Sequence, residues 1–345
     1  MLRDMVRKLL ENQGGWQQFA EVGLLGLLVP ESQGGTGGGA QEILIVMREI
    51  GRSLVQLPYV STAVVAASFL SRYPADIPAA SLLPQLVFGQ LKVAIVASAV
   101  EQPSGIEVRA EAGEASLRVW GRHSAVVDAP EADYLLVSAR TGSHGESGVC
   151  LIKMSDAIVS DASYRRLDGV PCCDINLQGL VISDATWLGP DTQGMAGSEV
   201  LAWAIDRGLA ASCAQACGAM EQLLALTIEH LKTRRQFGRQ LSDFQVLQHR
   251  LADMLISVEQ ARAAALMSAA HADCSDARLR RRAVSASRIL VDKAARHVGE
   301  QAVQLHGALG MTDELPVGRH FKRLNGITQT WGTTNQHLDR YAAHS

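Results

Sequence analysis

The sequence has no apolar run long enough to cross a bilayer: the longest, from Val60 to Leu70, falls well short of the roughly 20 residues a spanning helix needs. It also lacks an excess of charge of either sign. With 32 Lys and Arg against 35 Asp and Glu, the net charge is -3. There is no basic stripe or tail, so a nucleic acid or an anionic membrane is not the expected partner. The opening Met1-Leu2-Arg3-Asp4 has no signal-peptide pattern, which makes a cytoplasmic location the expectation. Six cysteines occur, but Cys172 and Cys173 are adjacent and Cys213 and Cys217 sit four apart on an expected helix. Neither pair makes a disulfide framework, no second Cys or His pair stands at zinc-ligand spacing, and Cys274 is a lone helix-end thiol, so no metal is expected.

What is present is ample material for a core: 345 residues, 47% hydrophobic and 19% charged, enough for two or three domains. Through about residue 90 apolar residues recur at helical spacing, as in Val6, Leu9 and Leu10, and again in Ile43, Val46, Met47 and Ile50. Among these helices lies a glycine cluster, Gly34, Gly35, Gly37, Gly38 and Gly39, without the Lys-Ser or Lys-Thr that ends a phosphate loop; it reads as a plain loop. From about residue 91 to residue 190 short runs rich in branched residues, Val93 to Ala97, Tyr134 to Val137, Val149 to Ile152 and Ile175 to Ile182, predict an antiparallel β-domain or barrel. Helical spacing then returns to the end. Ser242 and Gln245 form a capping box for a helix running to Ala272, and a further helix is expected from Asp276 to His306, with Gly307 and Gly310 as stops. The expected class is α+β, divided as 1–90, 91–190 and 191–345: helical domain, β-domain, long-helix bundle.

The most specific segment is Thr233-Arg234-Arg235-Gln236-Phe237-Gly238-Arg239-Gln240-Leu241, continuing through Phe244-Gln245 to Asp253-Met254. Arg234 offers a planar cationic fork suited to a diphosphate, Gln236 an amide and Phe237 an apolar anchor, while Phe244 and Gln245 open the following helix. Taken alone, it is as readily an Arg cluster capping a helix. A second segment is Gln304-Leu305-His306-Gly307-Ala308-Leu309-Gly310. Both segments resemble acyl-CoA dehydrogenases, and so do Gly23 to Glu31 with the glycine cluster and Met47 to Ser53; the resemblance runs from about Trp16 to Ala342 and has the same helix, β, helix order.

That resemblance implies FAD as cofactor, an acyl-CoA substrate, α,β-dehydrogenation and an electron-transfer flavoprotein as acceptor. It places Arg234, Gln236, Phe237, Phe244, Gln245, Gln304, His306, Gly307, Gly310 and Thr333 against FAD held mainly by a neighbouring subunit. Three departures qualify it. The family's Thr-Glu-Pro loop at the start of the β-domain reads Ala99-Val100-Glu101-Gln102-Pro103-Ser104-Gly105, and its flavin-facing aromatic wall reads Ser124-Ala125-Val126-Val127-Asp128. The reaction needs a carboxylate to take the α-proton while the β-hydrogen leaves as hydride. Where the family has Tyr-Glu-Gly-Thr, this chain has Thr330-Trp331-Gly332-Thr333, so that base is absent.

Some members carry the base on the first long helix of the bundle, in a stretch resembling Ala204-Ile205-Asp206-Arg207, where Asp206 is the candidate base and Arg207 a candidate substrate contact. Asp206 equally reads as the partner of Arg207 or as a helix-turn residue, and Trp203 as an acyl-pocket wall or a core residue. The expectation is therefore a subunit of a heteromeric enzyme, a heterotetramer acting on a bulky acyl-CoA as in steroid degradation, with a second acyl-CoA dehydrogenase-like chain supplying the flavin pocket and the base. Two other readings stay open: a self-sufficient homo-oligomer using Asp206, and a flavin-free remnant of the fold. His230, His249, His271 and His297 are expected on helices as packing or surface residues.

Overall fold

The computed structural model describes residues 1–97, 106–110, 116–141, 147–156, 158–159, 163–183, 187–312 and 315–344. The candidate flavin loop at residues 99–105 lies outside them. Helices α1 (Leu2–Glu11), α2 (Trp16–Glu21), α3 (Ala40–Ser53), α4 (Ala67–Leu70) and α5 (Leu83–Val87) precede the sheet, and α6 (Gly197–Thr233), α7 (Gln245–His271), α8 (Ala277–His306), α9 (Pro316–Gln329) and α10 (Thr334–Ala343) follow it. No helix among the described residues is long and apolar enough to cross a membrane.

The chain divides into two compact units that cut across sequence order. One comprises Met1–Gln13, Ala40–Val55 and Leu209–Ser345; the other, Gly14–Gly39 and Gln56–Gly208. In the first, the long helices bury an alanine-rich seam, including Ala216, Ala219, Ala261, Ala264, Ala294 and Ala302, where small side chains permit close helix approach. The tightest approach is reciprocal: a Cβ on Gly51 of α3 would meet the Gln215 carbonyl at 2.0 Å, and one on Gly218 of α6 the Arg48 carbonyl at 1.9 Å. Arg48 and Arg52 then reach Glu221 at 2.7 Å and 3.2 Å, and Glu49 on α3 is shared by Arg3 and Arg7 of α1 at 3.0 Å each.

In the second unit, strands β1 (Val93–Val96), β2 (Ile106–Ala110), β3 (Ser116–Val127), β4 (Tyr134–Thr141), β5 (Ser147–Lys153), β6 (Ile158–Val159), β7 (Tyr164–Arg165), β8 (Pro171–Ser183) and β9 (Trp187–Leu188) form one sheet. Its order is β6-β8-β3-β2-β4-β5-β9, with β1 on β4 and β7 on β8. Most pairs are antiparallel as expected, but β1 and β2 both run parallel to β4, so the sheet is mixed. All four residues of β1 are buried, as a strand covered on both faces requires. The apolar stretch beginning at Tyr59 is not an ordinary helix: Tyr59–Ala66 winds with the wider π-type turn before α4. In the glycine loop, the amides of Gly35, Gly37 and Gly38 donate to the carbonyls of Pro30, Val29 and Leu27. These donors fold the loop onto itself, which accords with its reading as a plain loop.

Candidate functional site

The bundle unit carries the first group of residues. Past the end of α6, Arg234 leads into a two-stranded hairpin, β10 (Arg235–Gln236) and β11 (Arg239–Gln240), closed by the Leu241 amide donating to the Arg234 carbonyl at 3.0 Å. Its two turn residues, Phe237 and Gly238, both have positive φ, 53° and 80°. That is the backbone twist that suits a two-residue hairpin, natural for Gly238 and strained for Phe237. The strain holds the Phe237 side chain outward: it is 86% exposed. Behind it, Phe244 meets the Phe237 ring edge-on at 6.1 Å and lies under the Arg239 guanidinium at 3.9 Å. Arg234, Arg235, Gln236, Arg239 and Gln245 are all exposed. The result is a protruding cationic and aromatic surface.

One expected detail is corrected here. Helix α7 begins at Gln245 with Phe244 as its N-cap and no side-chain cap; Ser242 sits in the 3-10 turn Leu241–Asp243, with its hydroxyl 3.5 Å from the Gln240 side chain. The 3-10 turn, in which the Phe244 amide donates to the Leu241 carbonyl at 3.2 Å, takes up the residues that would have opened the helix.

The second segment ends α8. Asp276 caps that helix by accepting from the Leu279 amide at 3.1 Å, and Gly307 terminates it with φ 62° before a 3-10 turn, Gly307–Met311. Gln304, Gly307 and Ala308 are exposed and Gly310 is buried. The His306 side chain is buried and points away from that exposed turn. Its ring stacks on that of His230, from the last turn of α6, at 4.3 Å, and its Nδ1 lies 2.8 Å from the Ala302 carbonyl. Since a carbonyl only accepts, Nδ1 carries the proton. This stack brings the Arg234 and Gly307 segments to one end of the bundle.

Trp331 lies between α9 and α10 with φ 57°, and Gly332 follows at φ 116°. Thr333 caps α10, accepting from the Gln336 amide at 3.4 Å. Both flanks of this turn are gripped from α8. Arg288, 1% exposed, donates to the carbonyls of Ile327 and Thr330 at the end of α9, and pairs with Asp292 at 2.8 Å; Asp292 accepts from the Thr334 hydroxyl at 3.2 Å. Burial raises the Asp292 carboxyl above its usual range, against the pull of Arg288. His337 and His320, buried nearby in the same unit, are held at about 3 and about 4, chiefly by desolvation.

The β-containing unit carries the remaining candidates. Asp206 is 0% exposed. Arg207 stacks on the Trp203 ring at 4.3 Å and donates to the Ser68 hydroxyl at 3.0 Å, while Arg72 approaches the same indole at 5.5 Å and donates to Asp191 at 2.7 Å. Two guanidinium groups thus lie against the Trp203 ring, an arrangement that no periodicity in the sequence announces. On β3 the stretch 124–128 sits at a bulge, with Ala125 at φ 56° and Asp128 at φ 64°. Asp174 fixes it by accepting from the Ala125 amide at 3.0 Å, the Tyr164 hydroxyl at 2.8 Å and Arg122 at 2.9 Å; these hydrogen bonds, the Ala125 amide first, hold its carboxyl well below the usual range. The Ser61 hydroxyl donates to Asp128 at 2.7 Å.

One pairing escaped sequence reasoning. Ser257 and His297, on neighbouring helices, meet at 2.9 Å between the hydroxyl and Nδ1. The hydroxyl also donates to the Asp253 carbonyl at 3.0 Å, so His297 must donate to the serine and is not its base. The pair is a bridge between helices.

Two family models match: the acyl-CoA dehydrogenase N-terminal domain over residues 3–90 and the acyl-CoA dehydrogenase C-terminal domain over residues 195–345. The chain belongs to the acyl-CoA dehydrogenase family. It is 27% identical to acyl-CoA dehydrogenase IpdE2 of Mycolicibacterium smegmatis, over 99% of this chain and 92% of that one. It is 28% identical to acyl-CoA dehydrogenase FadE27 of Mycobacterium tuberculosis, over 89% and 81%. The fold is also that of a chain in the ChsE4–ChsE5 complex from Mycobacterium tuberculosis, with a TM-score of 0.84 at 23% identity, covering 99% of this chain and 95% of that one.

Proposed function

We propose that this chain is one subunit of a heteromeric, FAD-dependent acyl-CoA dehydrogenase and completes the FAD site of a second acyl-CoA dehydrogenase-like chain. The observation that carries the reading is the turn around Trp331. It has no carboxylate where the family resemblance puts the base, and Arg288 and Asp292 hold both of its flanks.

The exposed groups at the end of the bundle fit the diphosphate-bearing half of FAD. Arg234 would pair with the diphosphate, Gln236 and Gln304 would donate amide hydrogens, Phe237 would pack against the partner, and the exposed Gly307 would let backbone approach closely. Phe244 and Gln245 support that surface at the start of α7, Gly310 closes the turn, and Thr333 orders the neighbouring one. The flavin-wall position fits less well: the bulge at Ala125 has no aromatic side chain and is tied down by Asp174. FAD, when bound, accepts the hydride. The α-proton would go to a carboxylate of the partner, and Asp206 and Arg207 serve the packing around Trp203. A bulky acyl-CoA such as a steroid side-chain thioester is the substrate class we favour, since a half-site without its own flavin leaves space, with an electron-transfer flavoprotein as acceptor in the cytoplasm.

The test is co-expression with a family member carrying the Glu base, followed by anaerobic mixing with acyl-CoA. Flavin bleaching by the pair but not by this chain alone supports the reading. Bleaching by this chain alone, abolished in Asp206→Asn, establishes the self-sufficient enzyme instead, and no flavin in either preparation establishes the flavin-free remnant.

A further inference from the structure

Among the described residues, the stacked rings of His230 and His306 form a titratable cluster at the end of the bundle with no task in the reading above. They approach to 4.3 Å with 26° between their planes, and His230 lies one turn before Arg234, whose amide donates to its carbonyl at 2.9 Å. His306 is followed directly by Gly307, where the exposed backbone turn begins. Two imidazoles stacked this closely cannot both carry a proton without strong repulsion, and Arg234 adds a third positive centre. Burial first, then His306 and Arg234, hold His230 below its usual value; burial does the same to His306, against the Ala302 carbonyl. Among the described residues no carboxylate is among the groups that shift either ring: the charged neighbours that act on His230 are His306 and Arg234.

An anion arriving at Arg234 changes this balance. It screens the guanidinium and brings negative charge to this end of the bundle, so the charged form of one ring becomes more favourable. We propose that the His230–His306 stack is a proton-taking element of a diphosphate site at this end of the bundle, in which binding of the diphosphate draws one proton onto the pair. The inference rests on the reading of Arg234 as a diphosphate contact. His230 and His306 are positioning residues in this account: they act through Arg234 and the Gly307 turn, and neither needs to touch the reacting atoms. Because binding and protonation are linked, the site tightens as pH falls.

ADP-ribose is the suitable probe, because its diphosphate is a diester that does not titrate between about pH 5 and 9 while His does. Calorimetry on the full chain, in buffers of different ionisation enthalpy, reads affinity and proton uptake together. The expected result is affinity on the order of tenfold tighter at pH 6 than at pH 8, with about half to one proton taken up per ligand. In His230→Phe/His306→Phe, which keeps the stacked rings, uptake and pH dependence vanish; His230→Gln/His306→Gln serves where the first variant does not fold. Binding by the native chain with no pH dependence and no proton uptake overturns the proposal while leaving the diphosphate reading intact. So does a double variant that still takes up the proton. No binding of ADP-ribose at either pH, by the chain alone or by its complex with the partner chain, removes the diphosphate reading itself.

Discussion

The two places where cofactor contacts are expected differ in where their polar groups point. Around Ala125 and Asp206, polar groups are spent on the chain's own scaffold: Asp174 gathers three donors, Ser61 engages Asp128, and Asp206 is wholly buried beside the Trp203 stack. Around Arg234 and Gly307 they face out, on a hairpin whose strained turn presents Phe237 to solvent. A backbone held at positive φ to expose a large aromatic ring costs free energy that isolated folding does not return. That contrast favours the proposal of a half-site completed by another chain.

The largest expected effect tests how firmly the turn at Trp331 is held. Arg288→Leu removes the donor to two carbonyls and leaves Asp292 buried without its cation, and should lower stability by about 3 kcal/mol, read by urea unfolding. If Trp331 remains ordered and stability is unchanged, the turn is not held from α8. Next, Arg234→Ala in the complex should weaken FAD retention by about 30-fold, as for a lost charge-assisted hydrogen bond, measured by flavin release on dilution. An equal loss in Arg122→Ala, on the β3 side, would erase the distinction between the two regions.

A comparable effect follows from pH. His320 and His337 titrate at about 4 and about 3 in the folded chain, below the value of about 6.5 expected when unfolded. Below about pH 6.5 the unfolded chain therefore binds protons that the folded one does not, so stability is full above that pH and lost as pH falls, by about 2 kcal/mol per ring at pH 5. Asp292, raised by burial, works in the opposite sense and offsets part of the loss. The melting midpoint should drop by several degrees between pH 7 and pH 5, and by less in His337→Gln. The smallest effect is expected at Asp206: in the complex, Asp206→Asn should change turnover by less than about twofold, as the proposed partner base implies.

Much of this was legible in the sequence because the signals are local. The long helix expected from Asp276 to His306 and its Gly307 stop depend on residues within a few positions, and α8 runs between those ends, whereas the two-stranded hairpin after Arg234 stood in the sequence only as a loop between helices. The Ser242 capping box was not borne out, because Ser242 lies in a 3-10 turn that precedes the helix and leaves Phe244 as its N-cap. The parallel pairing of β1 and β2 with β4 is set by a long-range crossover that alternation cannot encode. The Arg288 and Asp292 pair, four apart on a helix, has the spacing of a solvated surface pair, and only the packing of α9 and α10 over it makes it a buried clamp. The stack of His230 on His306 likewise depends on two helices ending together.

The central claim is that this chain touches FAD held by another subunit, and a flavin count tests it most directly. Purified alone, the chain should carry less than about 0.1 FAD; with its partner, a symmetric complex should carry about one FAD per pair of chains. A yellow preparation of the chain alone, near one FAD per chain, would contradict the account.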